Sequence, residues 1–251
     1  MNSHTLQFLI GKDISGTEVM GDFSVTGSFI SAGHTGSGHA SYDEAAFVID
    51  IMRRYSPEEV KFVMIDPKQV QLIPYEESPY LWSPIIYTPE AGEAVVSRLL
   101  SEITERQKLF SDAGVANIAE YNETASEMLP RIILLGTEIA DLMMVDGTFY
   151  QEAFLTIARQ TKTTGVHLYL GTQRPSPDVL SDELLAAIHG RLIFAVANEI
   201  DSQRLLGRPD AHNFVEAGVL ICADTAAGNY TTLKSNYVSD EEVVRVVEGS
   251  R

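Results

Sequence analysis

Short apolar runs alternate with amphipathic segments along most of the chain. Residues 60–65 and 131–135 are runs of the kind found in buried strands, and residues 89–110 have the apolar spacing of one helix face. Further strands are predicted at 84–87, 165–170 and 191–196, and further helices at 117–126, 150–161, 177–188 and 201–206. This alternation predicts an α/β fold with a mostly parallel, doubly wound sheet.

A glycine-rich loop connects a predicted strand to a predicted helix near the N-terminus. The strand covers residues 28–32, the loop covers 33–38, and the helical pattern of 45–52 leads to the strand that ends at Asp66. We interpret this order as a βαβ unit, which predicts a parallel pair of strands.

Antiparallel pairs are expected at both ends of the chain. Apolar runs at 6–10 and 17–20 predict a β-hairpin extension within residues 1–27, and runs at 219–222 and 229–233 predict a closing pair, followed by a helix at 240–247. No internal repeat or long linker divides the sequence. We therefore predict one domain over residues 1–251.

Charge disfavours a nucleic-acid ligand, although a local basic stripe on an acidic protein would still allow one. Eighteen Lys and Arg residues against 35 Asp and Glu give a formal net charge of −17, whereas affinity for DNA depends on basic side chains that contact phosphates. The sequence shows neither an uninterrupted apolar run of membrane-spanning length nor a signal-peptide pattern, and Cys222 is the single cysteine. A cytoplasmic location is the expectation.

The glycine-rich loop has the spacing of a phosphate-binding loop but not its chemistry. Gly33, His34, Thr35, Gly36, Ser37 and Gly38 fit the pattern G-x-x-x-x-G, after which a lysine and a hydroxyl residue should follow. His39 and Ala40 stand there instead. The backbone amides could still hold an anion, while a glycine turn with only a packing role is an equally plausible interpretation.

A second interpretation of the same loop is a dinucleotide-binding fingerprint. It would use Gly36 and Gly38, with Asp66 at the end of the next strand, but Ser41 occupies the third glycine position. The match is weak by itself.

Two later loops carry candidate catalytic groups. Thr137 and Glu138 follow the strand at 131–135, where an enzyme that transfers phosphoryl groups needs one carboxylate for magnesium and another to orient water. Thr137 cannot replace the first, whereas Glu138 could perform the second task or act as a helix cap. Gln173 could sense a terminal phosphate, and Arg174 could pair with Asp178.

Several motifs, in this order, resemble the motor domain of FtsK/SpoIIIE-family DNA translocases. The matching segments are Gly-Lys-Asp-Ile-x-Gly at 11–16, the glycine loop at 33–38, Pro-Glu-Glu-Val-x-Phe-x-Met-Ile-Asp-Pro-Lys at 57–68, Glu-Ile-Ala-Asp-Leu-Met at 138–143, and Thr-Gln-Arg-Pro-Ser at 172–176. Weaker matches include 114–122, Arg191 and Ile-Asp-Ser at 200–202.

The resemblance implies a RecA-like P-loop NTPase fold and an ATP-driven hexameric ring that translocates double-stranded DNA in chromosome segregation. It assigns the phosphates to residues 33–40, the polarised water to Glu138 and the γ-phosphate sensor to Gln173. The departures are His39 for the lysine, Ala40 for the serine, Thr137 for the magnesium-binding aspartate and Gln203 for an arginine. We therefore expect binding of ATP and Mg²⁺ to be impaired, and predict no metal site.

Three functional hypotheses follow. The first is a pseudo-ATPase kept for assembly as a homo- or hetero-oligomer, and the second is an active translocase with a weakened nucleotide site. The third is a protein-binding module of secretion or conjugation machinery, which the acidic charge favours over DNA binding. The sequence contains no counterpart of the family's membrane segments, so a fragment of a larger, membrane-anchored translocase stays open.

Overall fold

Nine strands form one sheet in the computed structural model of the chain, which describes residues 5–69 and 71–250. The strands are β1 Gln7–Asp13, β2 Glu18–Asp22, β3 Phe29–Ala32, β4 Val60–Ile65, β5 Arg131–Gly136, β6 Val166–Thr172, β7 Gly190–Ile193, β8 Val219–Asp224 and β9 Asn229–Ser235. Their order across the sheet is β2-β1-β9-β8-β7-β3-β6-β5-β4.

Helices pack on the sheet and carry the chain between its strands. They are α1 Phe23–Thr26, α2 His39–Ser41, α3 Phe47–Arg54, α4 Pro89–Ala113, α5 Ile118–Thr124, α6 Ile139–Thr164, α7 Asp182–Ala187, α8 Glu199–Leu206 and α9 Asp240–Ser250. A π-helical turn, Tyr42–Ala46, joins α2 to α3, and 3-10 turns cover Ile73–Tyr75 and Asp210–Asn213.

The parallel part of the sheet confirms the predicted α/β fold. Strands β7, β3, β6, β5 and β4 run parallel, while β8, β9, β1 and β2 are antiparallel to their neighbours. One detail of the prediction is wrong, because β3 and β4 do not pair with each other. Strands β6 and β5 lie between them, so the crossover through α2 and α3 skips two positions.

Side chains that alternate along the parallel strands build a core on each face. Ile132 and Leu134 of β5 face the cluster that contains α4 and α6, whereas Ile133 and Leu135 face the cluster that contains α3 and α9. Strands buried on both faces have apolar side chains at consecutive positions. The continuous apolar runs in the sequence follow from this burial.

The N-terminal hairpin is part of the main sheet. β1 pairs with β2 on one side and with β9 on the other, through Gly11 to Asp13. Residues 1–4 of the predicted extension lie outside the described residues, as do residues 70 and 251. The division into one domain over 1–251 stays a prediction.

Side-chain caps start several helices where the sequence changes from apolar to polar. Thr88, Asn117, Ser181 and Asn198 each accept a hydrogen bond from a backbone amide in the first turn of α4, α5, α7 and α8. In α4 the next residue is Pro89, whose missing amide needs no partner at this position. Local capping thus fixes the starts of these four helices.

Three local predictions differ from the structure. Residues 84–87 contribute one isolated parallel bridge between Ile65 and Ile86 and form no strand. The helix predicted at 177–188 begins only at Asp182, after a turn in which Val179 and Leu180 donate to the Ser176 carbonyl. α6 begins eleven residues before the predicted 150 and contains non-helical backbone at Asp146.

Candidate nucleotide site

The glycine-rich loop leaves the carboxyl end of β3, an interior strand between β6 and β7. Gly36 and Gly38 have φ angles of +87° and +89°, a region that L side chains rarely adopt. A Cβ on Gly38 would also lie 2.7 Å from the Gly218 nitrogen. The loop is therefore a compact turn that depends on these glycines, and α2 starts immediately after it.

Backbone donors of the loop are partly unused. The amides of His34 and Ser37 donate to Ala195 O and His34 O at 2.8 and 3.0 Å. The amides of Thr35, Gly36 and Gly38 donate to no acceptor in residues 5–69 and 71–250. Such a set of amides at the start of a helix can receive an anion.

His39 does not extend toward this loop surface. Its side chain is 2% exposed, and its Nε2 lies 2.9 Å from Asp43 Oδ2, one helical turn further on. Its ring also packs at 5.9 Å against Phe194. The residue in the lysine position is therefore turned into the protein.

The carboxylate of Asp43 favours the protonated form of His39. Burial by itself lowers the pKa of His39, but the carboxylates of Asp43 and Glu138 act in the opposite direction, and the pKa lies above its usual value. Asp43 also accepts hydrogen bonds from Ser31 and Tyr169, at 2.8 and 2.6 Å. A positive charge on His39 would thus be neutralised inside the protein by Asp43. Asp43 was not predicted from the sequence, although its i,i+4 spacing from His39 was a usable signal.

Magnesium does not fit the residues of this site. Ala40 has no side-chain oxygen, and Thr137 is 7% exposed with its hydroxyl donating to Ile65 O at 3.5 Å. Within the part of the chain that the structure describes, no group of three or more His, Cys, Asp or Glu residues is arranged to hold a metal ion. Both hydroxyl and carboxylate anchors of a nucleotide-bound magnesium are missing.

Glu138 caps α6 and holds the loop that follows β6. Its Oε1 accepts from the Thr172 hydroxyl at 2.6 Å and from the Ala140 amide at 3.3 Å, and its Oε2 accepts from the Gln173 amide at 2.9 Å. Glu138 is 8% exposed. Both carboxylate oxygens of Glu138 therefore accept hydrogen bonds from nearby loops and from the start of α6. This geometry supports the helix-cap interpretation.

Gln173 connects two of the predicted loops. Its Oε1 accepts from the Thr35 hydroxyl at 3.0 Å, so the glycine loop and the loop after β6 are in direct contact. Arg174 pairs with Asp178 at 3.0 Å, as the spacing indicated. The structure thus places Thr35, Glu138 and Gln173 together, as expected of loops at the carboxyl ends of neighbouring strands.

Comparison with known proteins identifies the family. A sequence profile of the FtsK/SpoIIIE family matches residues 1–177. This chain belongs to the FtsK/SpoIIIE family. It is 36% identical over 247 residues to the DNA translocase FtsK of Clostridium tetani, and 34% identical over 247 residues to the DNA translocase SftA of Bacillus subtilis. Each alignment covers 96% of this chain, but only 33% and 26% of those proteins.

Solved structures support the fold of this FtsK/SpoIIIE domain. The pCW3 conjugation coupling protein TcpA, solved with ATPγS, has a TM-score of 0.84 at 23% identity, over 98% of this chain and 70% of that one. The type VII secretion ATPase EccC of Thermomonospora curvata has a TM-score of 0.86 at 24% identity, over 100% of this chain and 31% of that one. The RecA-like P-loop NTPase fold is therefore confirmed.

The dinucleotide-binding interpretation gains no support from Asp66. This residue is fully buried, and its Oδ2 accepts from the amides of Gln71 and Leu72 at 3.0 and 3.1 Å. Asp66 therefore stabilises the loop that follows β4. A carboxylate that binds a ribose hydroxyl would instead have to face a ligand cleft.

An open cleft of about 420 Å³ adjoins the glycine-rich loop. Its lining includes His34, Thr35, Gln173, Arg174 and Lys68. Lys68 was given no role from the sequence, although it comes three residues after the end of β4, at the carboxyl edge of the sheet where ligands bind. In residues 5–69 and 71–250, no helix combines the length and apolar character needed to cross a membrane.

Proposed function

We propose that this FtsK/SpoIIIE domain is a pseudo-ATPase that serves as an assembly subunit and does not hydrolyse ATP. The observation that carries the proposal is the inward position of His39, whose Nε2 lies 2.9 Å from Asp43 Oδ2. The side chain in the lysine position is thereby paired with a buried carboxylate. It is not available to stabilise charge on a phosphate.

The missing magnesium anchors support the same proposal. Removal of one preorganised charge-stabilising group reduces turnover by about 10²–10³-fold. Here the lysine, the serine and the aspartate positions hold His39, Ala40 and Thr137. Such losses are not additive, but together they reduce the expected hydrolysis to a background rate. Glu138 and Gln173 remain in place and act as structural links between loops.

The subunit would act by binding other subunits through its surface. We propose that residues 1–251 form a single motor-type domain in the cytoplasm that assembles with itself or with an active relative, in a homo- or hetero-oligomer such as a hexameric ring. The chain spans about a third or less of the length of the curated relatives that it matches. Its activity within a longer protein is therefore part of this proposal.

Recognition of a protein is a second candidate function. The formal net charge of −17 opposes attraction to the phosphates of DNA. The EccC neighbour is a secretion ATPase, and EccC has been solved in complex with a signal sequence peptide. We infer from the charge that a protein partner suits this chain better than duplex DNA does.

Phosphate release from Mg-ATP tests the pseudo-ATPase proposal. Wild-type protein should release phosphate at the background rate. A combined variant, His39→Lys, Ala40→Ser, Thr137→Asp and Asp43→Asn, should bind ATP at least tenfold more tightly with magnesium than without it. Asp43→Asn is included because the original carboxylate would hold the introduced ammonium in the core, and Asp43→Asn alone is the control. Wild-type turnover of about 1 s⁻¹ or faster, typical of working enzymes, would disprove the proposal.

A further inference from the structure

We propose that this site binds the phosphate chain of a nucleotide without a divalent cation, and that Lys68 supplies the positive charge. This inference rests on the proposed function, because it concerns the same loop in its non-hydrolysing form. It starts from the residues that fail to fit magnesium. Ala40 and Thr137 present no oxygen to the cleft, and both oxygens of Glu138 already accept hydrogen bonds.

The loop still has donors for phosphate oxygens. The amides of Thr35, Gly36 and Gly38 have no acceptor among the described residues. Other backbone groups of the loop are already paired within the protein. The Gly218 amide donates to Ser37 O at 2.7 Å, and the His34 amide donates to Ala195 O at 2.8 Å. Backbone donors alone can orient a phosphate, but they cannot neutralise its charge.

Two cations face the cleft beside this loop. Arg174 is already paired with Asp178, with 3.0 Å between Nη2 and Oδ2. Lys68 is exposed and forms no ion pair with any residue in 5–69 or 71–250. Its flexible four-carbon side chain lets the ammonium reach different phosphate oxygens. Lys68 is therefore the cation that remains free to meet an anionic ligand.

The balance of charge in the cleft depends on this one lysine. The carboxylates of Glu138 and Asp141 line the cleft together with Lys68 and Arg174. Because Arg174 is paired with Asp178, Lys68 is the cation that offsets the charge of Glu138 and Asp141. Without it, these two carboxylates face the ligand uncompensated, and a polyphosphate would be repelled. No comparable compensation can come from His39, which is paired with Asp43.

Binding measured in the presence of EDTA tests the inference. The probes are ATP and inorganic triphosphate, added to the intact protein in a calorimeter at low salt. Wild-type protein should bind both, and replacement of EDTA by magnesium should change affinity less than twofold. Lys68→Gln should weaken binding about tenfold, the size typical of a hydrogen bond to a charged group. Lys162→Gln, at an exposed lysine of α6 away from the cleft, should leave binding unchanged.

Three results would each contradict the proposal. No binding in EDTA, or binding at least tenfold tighter with magnesium, would disprove metal-free recognition. Equal affinity of Lys68→Gln and wild type would remove the role of Lys68, provided that thermal unfolding shows both proteins folded. Binding of ATP without triphosphate would place recognition on the nucleoside and overturn the proposal. Phosphate release, measured separately with magnesium, decides the pseudo-ATPase proposal independently.

Discussion

Two buried histidines of this chain have pKa values shifted in opposite directions because their neighbours differ. His39 lies beside the Asp43 carboxylate, which keeps its pKa above the usual value despite burial. His167 is fully buried on β6 with its Nδ1 2.7 Å from Gly27 O. Burial, with a smaller contribution from the Arg131 charge, lowers the pKa of His167 to about 3. The carboxylate beside His39 thus favours its protonated form, whereas burial favours the neutral form of His167.

The low pKa of His167 predicts acid destabilisation. The unfolded chain protonates this residue near pH 6.5 and the folded chain only near pH 3. Its contribution to stability is therefore complete above pH 6.5 and is lost as pH falls toward 3, at up to about 1.4 kcal/mol per pH unit. His167→Asn keeps a donor for Gly27 O but cannot be protonated. Urea unfolding between pH 4.5 and 7 should give a smaller pH slope for this variant.

The remaining titrating groups do not obscure that comparison. His39, with a raised pKa, contributes stability that is lost only as pH rises above about 6.5. Glu44, whose pKa burial raises to about 9, titrates equally in both proteins. Equal slopes for wild type and His167→Asn would show that His167 is not the group responsible.

Residue types predicted the glycine positions of the site better than its side-chain directions. Gly36 and Gly38 have positive φ in the loop that the sequence predicted between a strand and a helix. The inward turn of His39 could not be predicted from the motif alone, since it depends on Asp43 and on contacts with β3 and β6. These partners are distant in sequence or were not recognised as a pair.

At the scale of elements, Arg191 links the ends of two helices to the sheet. It is 3% exposed at the start of β7 and donates to the carbonyls of Leu185, Ile188 and Leu205, which belong to the C-terminal ends of α7 and α8. Carbonyl groups at helix ends have no partner within the helix. Burial lowers the pKa of Arg191 to about 10, so the guanidinium stays charged at neutral pH.

Replacement of Arg191 should destabilise this part of the domain. Arg191→Met keeps the volume but leaves buried carbonyls without donors, at a cost of about 3 kcal/mol in the free energy of unfolding. Arg191→Lys should recover part of that loss, because one ammonium cannot reach all these acceptors. Arg159→Met, at an exposed arginine on α6, is the matched control. Denaturant unfolding measures all three, and equal midpoints for Arg191→Met and Arg159→Met would contradict the anchoring role.

Apolar patterns predicted elements more reliably than their pairing. The run at 60–65 is β4 as expected, because a strand buried on both faces is apolar throughout. The helix at 177–188 was predicted too long, since Val179 and Leu180 are buried through a turn that ends at the Ser181 cap. Strand order could not be predicted, because the crossover from β3 to β4 passes two strands that come later in the chain.

For the molecule as a whole, the family and the net charge favour different ligands. Curated relatives are named DNA translocases, whereas this chain has a formal net charge of −17. Several of its basic side chains are paired with carboxylates: Arg54, Lys108 and Arg208 pair with Asp50, Asp112 and Asp210. Cations held in such pairs are less available to replace counterions on a phosphate backbone, the process that drives non-specific DNA binding.

The isolated chain should therefore bind duplex DNA weakly. In fluorescence anisotropy with a labelled duplex at about 150 mM salt, we expect a Kd above about 10⁻⁴ M, outside the usual range of non-specific binders. Lower salt should improve affinity only slightly, because the logarithm of the binding constant depends on salt in proportion to the phosphates contacted. A micromolar Kd with a steep salt dependence would reveal a basic surface strong enough to overcome the net charge. That result would favour DNA over a protein as the partner of this FtsK/SpoIIIE domain.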